Sequence, residues 1–221
     1  MSTLTGDIII TGNQGHDGTN GDSHTKPAES GDHGRNASCD WDSVCRPKSS
    51  EGTDGADGSN GGDATNAGDG SNCPSATIKI NELVGTIVVA AAAGDGGNGG
   101  NGGKGQDGGN GGDGGKPSGC PAGSDCSGSN GGDAGNGGNG GNGGNAGNGG
   151  NGNTITVTYH GGNVLPSTPT PKSGNAGVGG LGGSAGKAGS PGGTKAKGGE
   201  SGKGGTEGSN GTPSSIILQK I

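Results

Sequence analysis

Apolar residues in this chain fall into a few short β-branched runs, at 8–10, 78–80, 87–93, 155–159, 164–165 and 216–218, separated by long polar stretches filled with glycine. Short runs of Ile, Val and Thr bounded by Gly, Asn, Ser and Pro read as strands. Aligning them exposes an internal repeat. Leading strands at 6–10, 85–89 and 162–165 each open a unit, and trailing strands at 75–80, 153–157 and 213–218 each close one. Each unit is therefore strand, glycine tract, turn, glycine tract, strand. The reading divides a single domain, 1–221, into repeats 1–81, 82–160 and 161–221.

The polar stretches have a period of their own. Glycine occupies every third position from Gly96 to Gly114 and from Gly132 to Gly150. The first repeat shows the same phase at Gly12 to Gly21 and at Gly52 to Gly70, with Ala64 and Ala67 standing in; the third shows it at Gly174 to Gly192 and Gly199 to Gly211. A glycine at every third residue marks an extended helix with three residues per turn, packed so closely on its neighbours that only glycine fits the crowded side. The expected fold is a bundle of about six antiparallel polyglycine-II/polyproline-II helices in three hairpins, with short β-strands at the base and essentially no α-helix. At a rise of about 3.1 Å per residue, a run of some 20 residues spans on the order of 60 Å.

Composition narrows the function. Glycine makes up 64 of 221 residues, Phe is absent, and one Trp, one Tyr and one Met cannot fill a conventional enzyme core. Gly/Ser-rich chains of this kind are often disordered linkers, but a linker needs neither a strict glycine phase nor β-branched brackets. Order has a cost: each residue loses roughly 1–2 kcal/mol of conformational entropy on folding, and glycine loses the most. About twenty strand side chains at roughly 1.5–3 kcal/mol each do not offset that. The fold therefore needs dense hydrogen bonding between tracts, covalent staples or self-association.

Cys39 with Cys45, and Cys120 with Cys126, each enclose five residues at a hairpin turn. Both pairs read as disulfides, which places the protein in an oxidising compartment: extracellular, or on a virion or cell surface. No Cys-x-x-Cys spacing and no His beside either pair favours a metal site. Cys73 is left over, as a buried thiol or an intermolecular bridge. Met1 to Gly6 shows no secretory leader, and no segment reaches the roughly 18 apolar residues that span a bilayer.

A net charge of −7 offers no basic stripe for nucleic acid. Charge is uneven, with Asp63, Asp69, Asp95, Asp107, Asp113 and Asp133 on the first two repeats and Lys187, Lys195, Lys197 and Lys203 on the third. That distribution reads either as solvated faces or as a basic hairpin packed on acidic ones. The glycine motifs fail the P-loop pattern, since no Ser or Thr follows the Lys. His16, His24 and His33 have no helical face to gather them on a metal and read as surface residues. The expectation is no catalytic residue, no metal and no cofactor.

The Gly-Gly-Asn runs with cysteine-bounded turns resemble the glycine-rich springtail (snow flea-type) antifreeze proteins, and are similar at the same level to the glycine-rich tips of T-even-like phage adhesins. The first resemblance implies extended helices stapled by disulfides and an ice surface as partner, on a flat face of small side chains; the regular Asn136, Asn139, Asn142 and Asn145 are its nearest candidates. The second implies a rigid support that presents recognition loops to a cell-surface receptor or glycan. There the candidate is Trp41 between Asp40 and Asp42 in the first cysteine loop, as an exposed contact or as a seal over the hairpin end. The favoured function is a non-enzymatic extracellular structural or surface-binding protein. Ice binding is one alternative, and a homo-oligomer or fibre built through strand edges is another.

Overall fold

The computed structural model describes residues 4–120 and 126–221. Regular structure is one four-stranded, all-parallel sheet in the order β1 (Ile8–Thr11), β2 (Ala76–Ala92), β3 (Thr154–Ser167), β4 (Ser215–Lys220). The six strands expected from sequence thus become four. In β2 and β3 the trailing run of one repeat continues directly into the leading run of the next. Residues 76–80 of β2 pair with 155–159 of β3, and 86–90 pair with 163–167, with the register shifting on either side of Leu83. At these bends Gly85, Gly161 and Gly162 have φ of 83°, 72° and 40°, where a residue with a Cβ is strained.

Alternation decides which side chains go inside. Ile78, Ile80, Ile155, Val157, Tyr159, Ile216 and Leu218 come from the trailing arms, and Ile8, Ile10, Ile87, Val89, Ala91 and Val164 from the leading arms; together they form one apolar core. Ile155, Val89, Val157 and Cys73 are fully buried in it. Period-two patterning puts every second residue on the inner face, and burial at about 1.5–3 kcal/mol for a large side chain holds this base together.

Beyond the base the chain forms six extended tracts, at 12–37, 50–73, 94–116, 129–152, 171–190 and 194–212, numbered one to six in chain order. Their backbone bonds recur mostly at every third residue and go almost entirely to another tract. Gly15, Gly18 and Gly21 donate to Asp95, Asn98 and Asn101 at 2.8–2.9 Å, so tract one runs parallel to tract three. Gly96, Gly99 and Gly102 donate to Lys172, Asn175 and Val178, which adds tract five beside tract three. Tracts two, four and six form a second such layer through Gly58 to Asn136 and Gly137 to Lys197. The layers are tied in the opposite sense, as in Gly97 to Gly68 and Gly147 to Gly97. Glycine is required by this closeness: a Cβ on Gly138 would land on the carbonyl oxygen of Ser59.

The expected bundle of about six antiparallel polyglycine-II/polyproline-II helices is overturned. The described residues contain no helix, and their regular structure is parallel strand pairing. The physical reason is where the bonds go. A glycine phase states how closely chains approach, but not which chain is approached, in which direction, or that a tract is a helical element in its own right.

The stack ends at recognisable edges. In tract three, Gly97, Gly100, Gly103, Gly109, Gly112 and Gly115 each sit against a carbonyl of tract one. The equivalent positions of tract one are His16, Thr19, Asp22, Glu29, Asp32 and Arg35, whose side chains fill the place a preceding tract would take. The amides of Asn13, Thr19, Asp32 and Arg35 are instead capped by the hydroxyls of Ser71, Thr65, Thr53 and Ser50 at 2.6–2.8 Å. A polar outer edge of this kind is how repeat stacks terminate.

Candidate functional site

Two features of the surface are built by the fold: the outer faces of the tracts and the turn at their far end. On the outer faces the third residue of each triplet points away from the opposite layer, and its amide has no backbone partner. A buried or half-buried amide left unpaired is costly, and Asn and Asp supply the acceptor. Asp57, Asn60 and Asp63 in tract two accept from the amides of Asn136, Asn139 and Asn142 at 2.6–2.8 Å. Asn136, Asn139, Asn142 and Asn145 in turn accept from Lys197, Glu200, Lys203 and Thr206 at 2.9–3.0 Å. The candidate ice-face asparagines therefore have their carbonyl oxygens committed to the neighbouring tract. What they present outward is the amide nitrogen, and Asn136 turns even that to Asp57 at 3.1 Å.

The same ladder perturbs two carboxylates. Asp107 is held below its ordinary value first by the amide of Ser184, then by the Lys104 ammonium 3.1 Å away. Asp133 is lowered first by the amide and then by the hydroxyl of Thr194. Charged hydrogen-bond acceptors of this kind favour the ionised form.

At the turn, Cys39 and Cys45 face each other across an isolated antiparallel bridge. The loop between them is closed by Asp40 N–H to Val44 O at 2.9 Å and Ser43 N–H to Asp40 O at 3.0 Å, with Ser43 at φ 61°. The carboxylates are part of its frame: Asp40 Oδ1 accepts from the Trp41 amide at 2.8 Å and Asp42 Oδ1 from the Val44 amide at 3.2 Å. Asp42 also pairs with Arg46 at 3.8 Å. The Trp41 side chain is 92% exposed, so it does not seal the hairpin end. A large aromatic held in water on an ordered loop is the most unusual single side chain of the surface.

The disulfide pairing differs from expectation. Cys39 is bonded to Cys120 and Cys45 to Cys126, so the bridges join the turn of the first repeat to that of the second rather than closing each loop. The interior of the second cysteine loop, 121–125, lies outside the described residues, as does 1–3. A signal for the true pairing was present in the chain. Both bridges span 81 residues, the same offset that sets Ile8 against Val89 in the sheet. Cys73 is a core residue, 1% exposed, with its sulfur 3.7 Å from Ile10 O. No ion pair among the described residues joins the basic third repeat to the acidic ones; the pairs are Arg46–Asp42 and Lys104–Asp107.

Other concavities are shallow. A groove of about 460 Å³ at the seam of sheet and tracts is lined by Thr11, Gln14, Asp95, Ser167, Thr170 and Lys172. Among the described residues no group of three or more His, Cys, Asp or Glu side chains is placed to hold a metal ion, and no helix is long and apolar enough to cross a membrane.

No protein-family model and no curated protein matches the chain. A solved structure of the springtail antifreeze protein from Granisotoma rainieri, described as a nine polyproline type II helical bundle whose crystal waters match the ice lattice, aligns with 75% of this chain and 94% of that one at 25% identity. Its TM-score is 0.10, and at that level the likeness carries no argument for fold or function.

Proposed function

We propose that this is a non-enzymatic, extracellular or cell- or virion-surface binding protein, in which the stacked tracts are a stiff support and the Trp41 loop is the contact. The observation that carries the reading is the tryptophan itself: 92% exposed, on a loop whose ends are covalently tied to the next repeat. Tying the loop lowers the entropy lost on binding. An aromatic face beside acceptor carboxylates and the Arg46 guanidinium suits the apolar faces and hydroxyls of a sugar ring. The disulfides fit an oxidising destination. The capped edge of tract one favours a discrete molecule over a fibre.

Trp41 is the only tryptophan, so its fluorescence reports the loop alone. Titration with neutral and N-acetylated oligosaccharides, together with retention on the same glycans immobilised, is expected to show saturable shifts that Trp41→Ala abolishes while leaving unfolding midpoints unchanged. Equal retention of Trp41→Ala and the parent protein overturns the reading. So does thermal hysteresis with ice shaping at micromolar protein, which would move the function to a tract face.

A further inference from the structure

The two bridges at the tract ends are not independent. Cys120 Sγ lies 3.2 Å from Cys126 Sγ although the two sulfurs belong to different bridges. Cys39 and Cys45 are direct partners of an antiparallel bridge, a geometry that sets Cα atoms about 4.5–5.5 Å apart and lies within the range a disulfide spans. Each existing bridge has a Cα separation of 5.4 Å. All four sulfurs therefore form one cluster in which either pairing, between repeats or within loops, is reachable without moving the backbone far. Burial is graded across it: Cys45 and Cys126 are 8% and 5% exposed, whereas Cys39 and Cys120 are partly open to solvent.

We infer that this cluster is a thiol–disulfide exchange site entered by a low-molecular-weight thiol, and that it interconverts cross-repeat and within-loop pairings. The thiolate enters at the open bridge and attacks Cys120 Sγ, forming a mixed disulfide there and releasing Cys39 as thiolate. Cys39, facing Cys45, attacks Cys45 Sγ; the Cys39–Cys45 bond forms and Cys126 leaves as thiolate. Cys126 attacks the adjacent Cys120 Sγ, forms Cys120–Cys126, and expels the small thiol. Two disulfides are present before and after, so no oxidant or reductant is consumed. The thiol acts as catalyst. The new pairing unties the first loop from the second and leaves each closed on itself.

This inference does not rest on the surface-binding reading. Its test is disulfide mapping by mass spectrometry of the folded protein, incubated anaerobically with reduced glutathione and quenched by acid and alkylation. The expected result is growth of Cys39–Cys45 and Cys120–Cys126 peptides with no net loss of disulfide, and a rate that rises about tenfold from pH 7 to pH 8 because the thiolate is the attacking species. Cys73→Ala is expected to exchange at the parent rate, since Cys73 is enclosed in the sheet core. Recovery of only the original pairing and fully reduced chains overturns the inference, as does exchange that needs urea or that disappears in Cys73→Ala.

Discussion

The sheet base and the glycine tracts stack the same repeats in the same parallel order, yet they cohere by opposite means. The base buries Ile155, Val157, Val89 and their neighbours and would hold with any side chains of similar shape. The tracts bury almost no side chain. They hold because backbone meets backbone, with Gly138 N–H reaching Gln106 O at 2.8 Å and Gly141 N–H reaching Gly103 O at 2.9 Å. A core of side chains tolerates the loss of a methyl group by partial relaxation; two backbones in contact have nothing flexible to move aside. The comparison teaches that in this molecule tolerance to change follows the kind of contact, not depth of burial.

The largest expected effect follows from that difference. Gly138→Ala drives a Cβ onto the Ser59 carbonyl, and is expected to cost about 4 kcal/mol or more in urea unfolding. Gly204→Ala, whose nearest neighbour is the Gly177 oxygen at 3.6 Å, is expected to be neutral or to stabilise by about 0.4–1 kcal/mol through the unfolded chain. Equal midpoints for the two variants would break the comparison. In the base, Ile155→Ala is expected to cost about 2–5 kcal/mol by leaving a cavity. Measuring Ile155→Ala with probes of both regions sharpens the contrast: a coincident transition means that base and tracts unfold as one unit.

The base was legible in the sequence because its signal is a side-chain signal. Ile8, Ile10, Ile78, Ile155, Val157 and Ile216 read as strand residues because they lie in short β-branched runs between turn residues. What those runs do not show is that 80 and 87 lie on one bent strand, since glycine bends at Gly85 and Gly161 read equally well as chain breaks. The tracts were legible as extended and close-packed, but their partners were not, because Gly96 and Gly97 are the same residue in sequence and serve different neighbours in space. The Asn and Asp positions suffered most. Read one chain at a time, Asn139 is a surface amide, and only the offset of 61 residues to Glu200 reveals it as a cap. The same blindness mispaired the cysteines.

The smallest expected effect probes those caps through pH. Asp107 and Asp133 both ionise below their ordinary value of 3.8, because amides of the next tract donate to them in the folded state. A carboxylate depressed on folding contributes stability that is fully present above its unfolded value and is lost as pH falls through the folded one. Their share is therefore constant from neutral pH down to about 4 and declines below that. Both side chains face solvent, so the effect is small and screened by salt. Asp107→Asn with Asp133→Asn keeps an acceptor oxygen for Ser184 and Thr194 while removing the titration, as Asn110 and Asn136 already do at equivalent positions. The double variant is expected to match the parent at pH 7 and to show a flatter loss of midpoint between pH 4 and pH 2. A parallel acid limb in the two proteins would mean that the ladder is held by its amides alone, with the carboxylate charge adding nothing to the cohesion of the tracts.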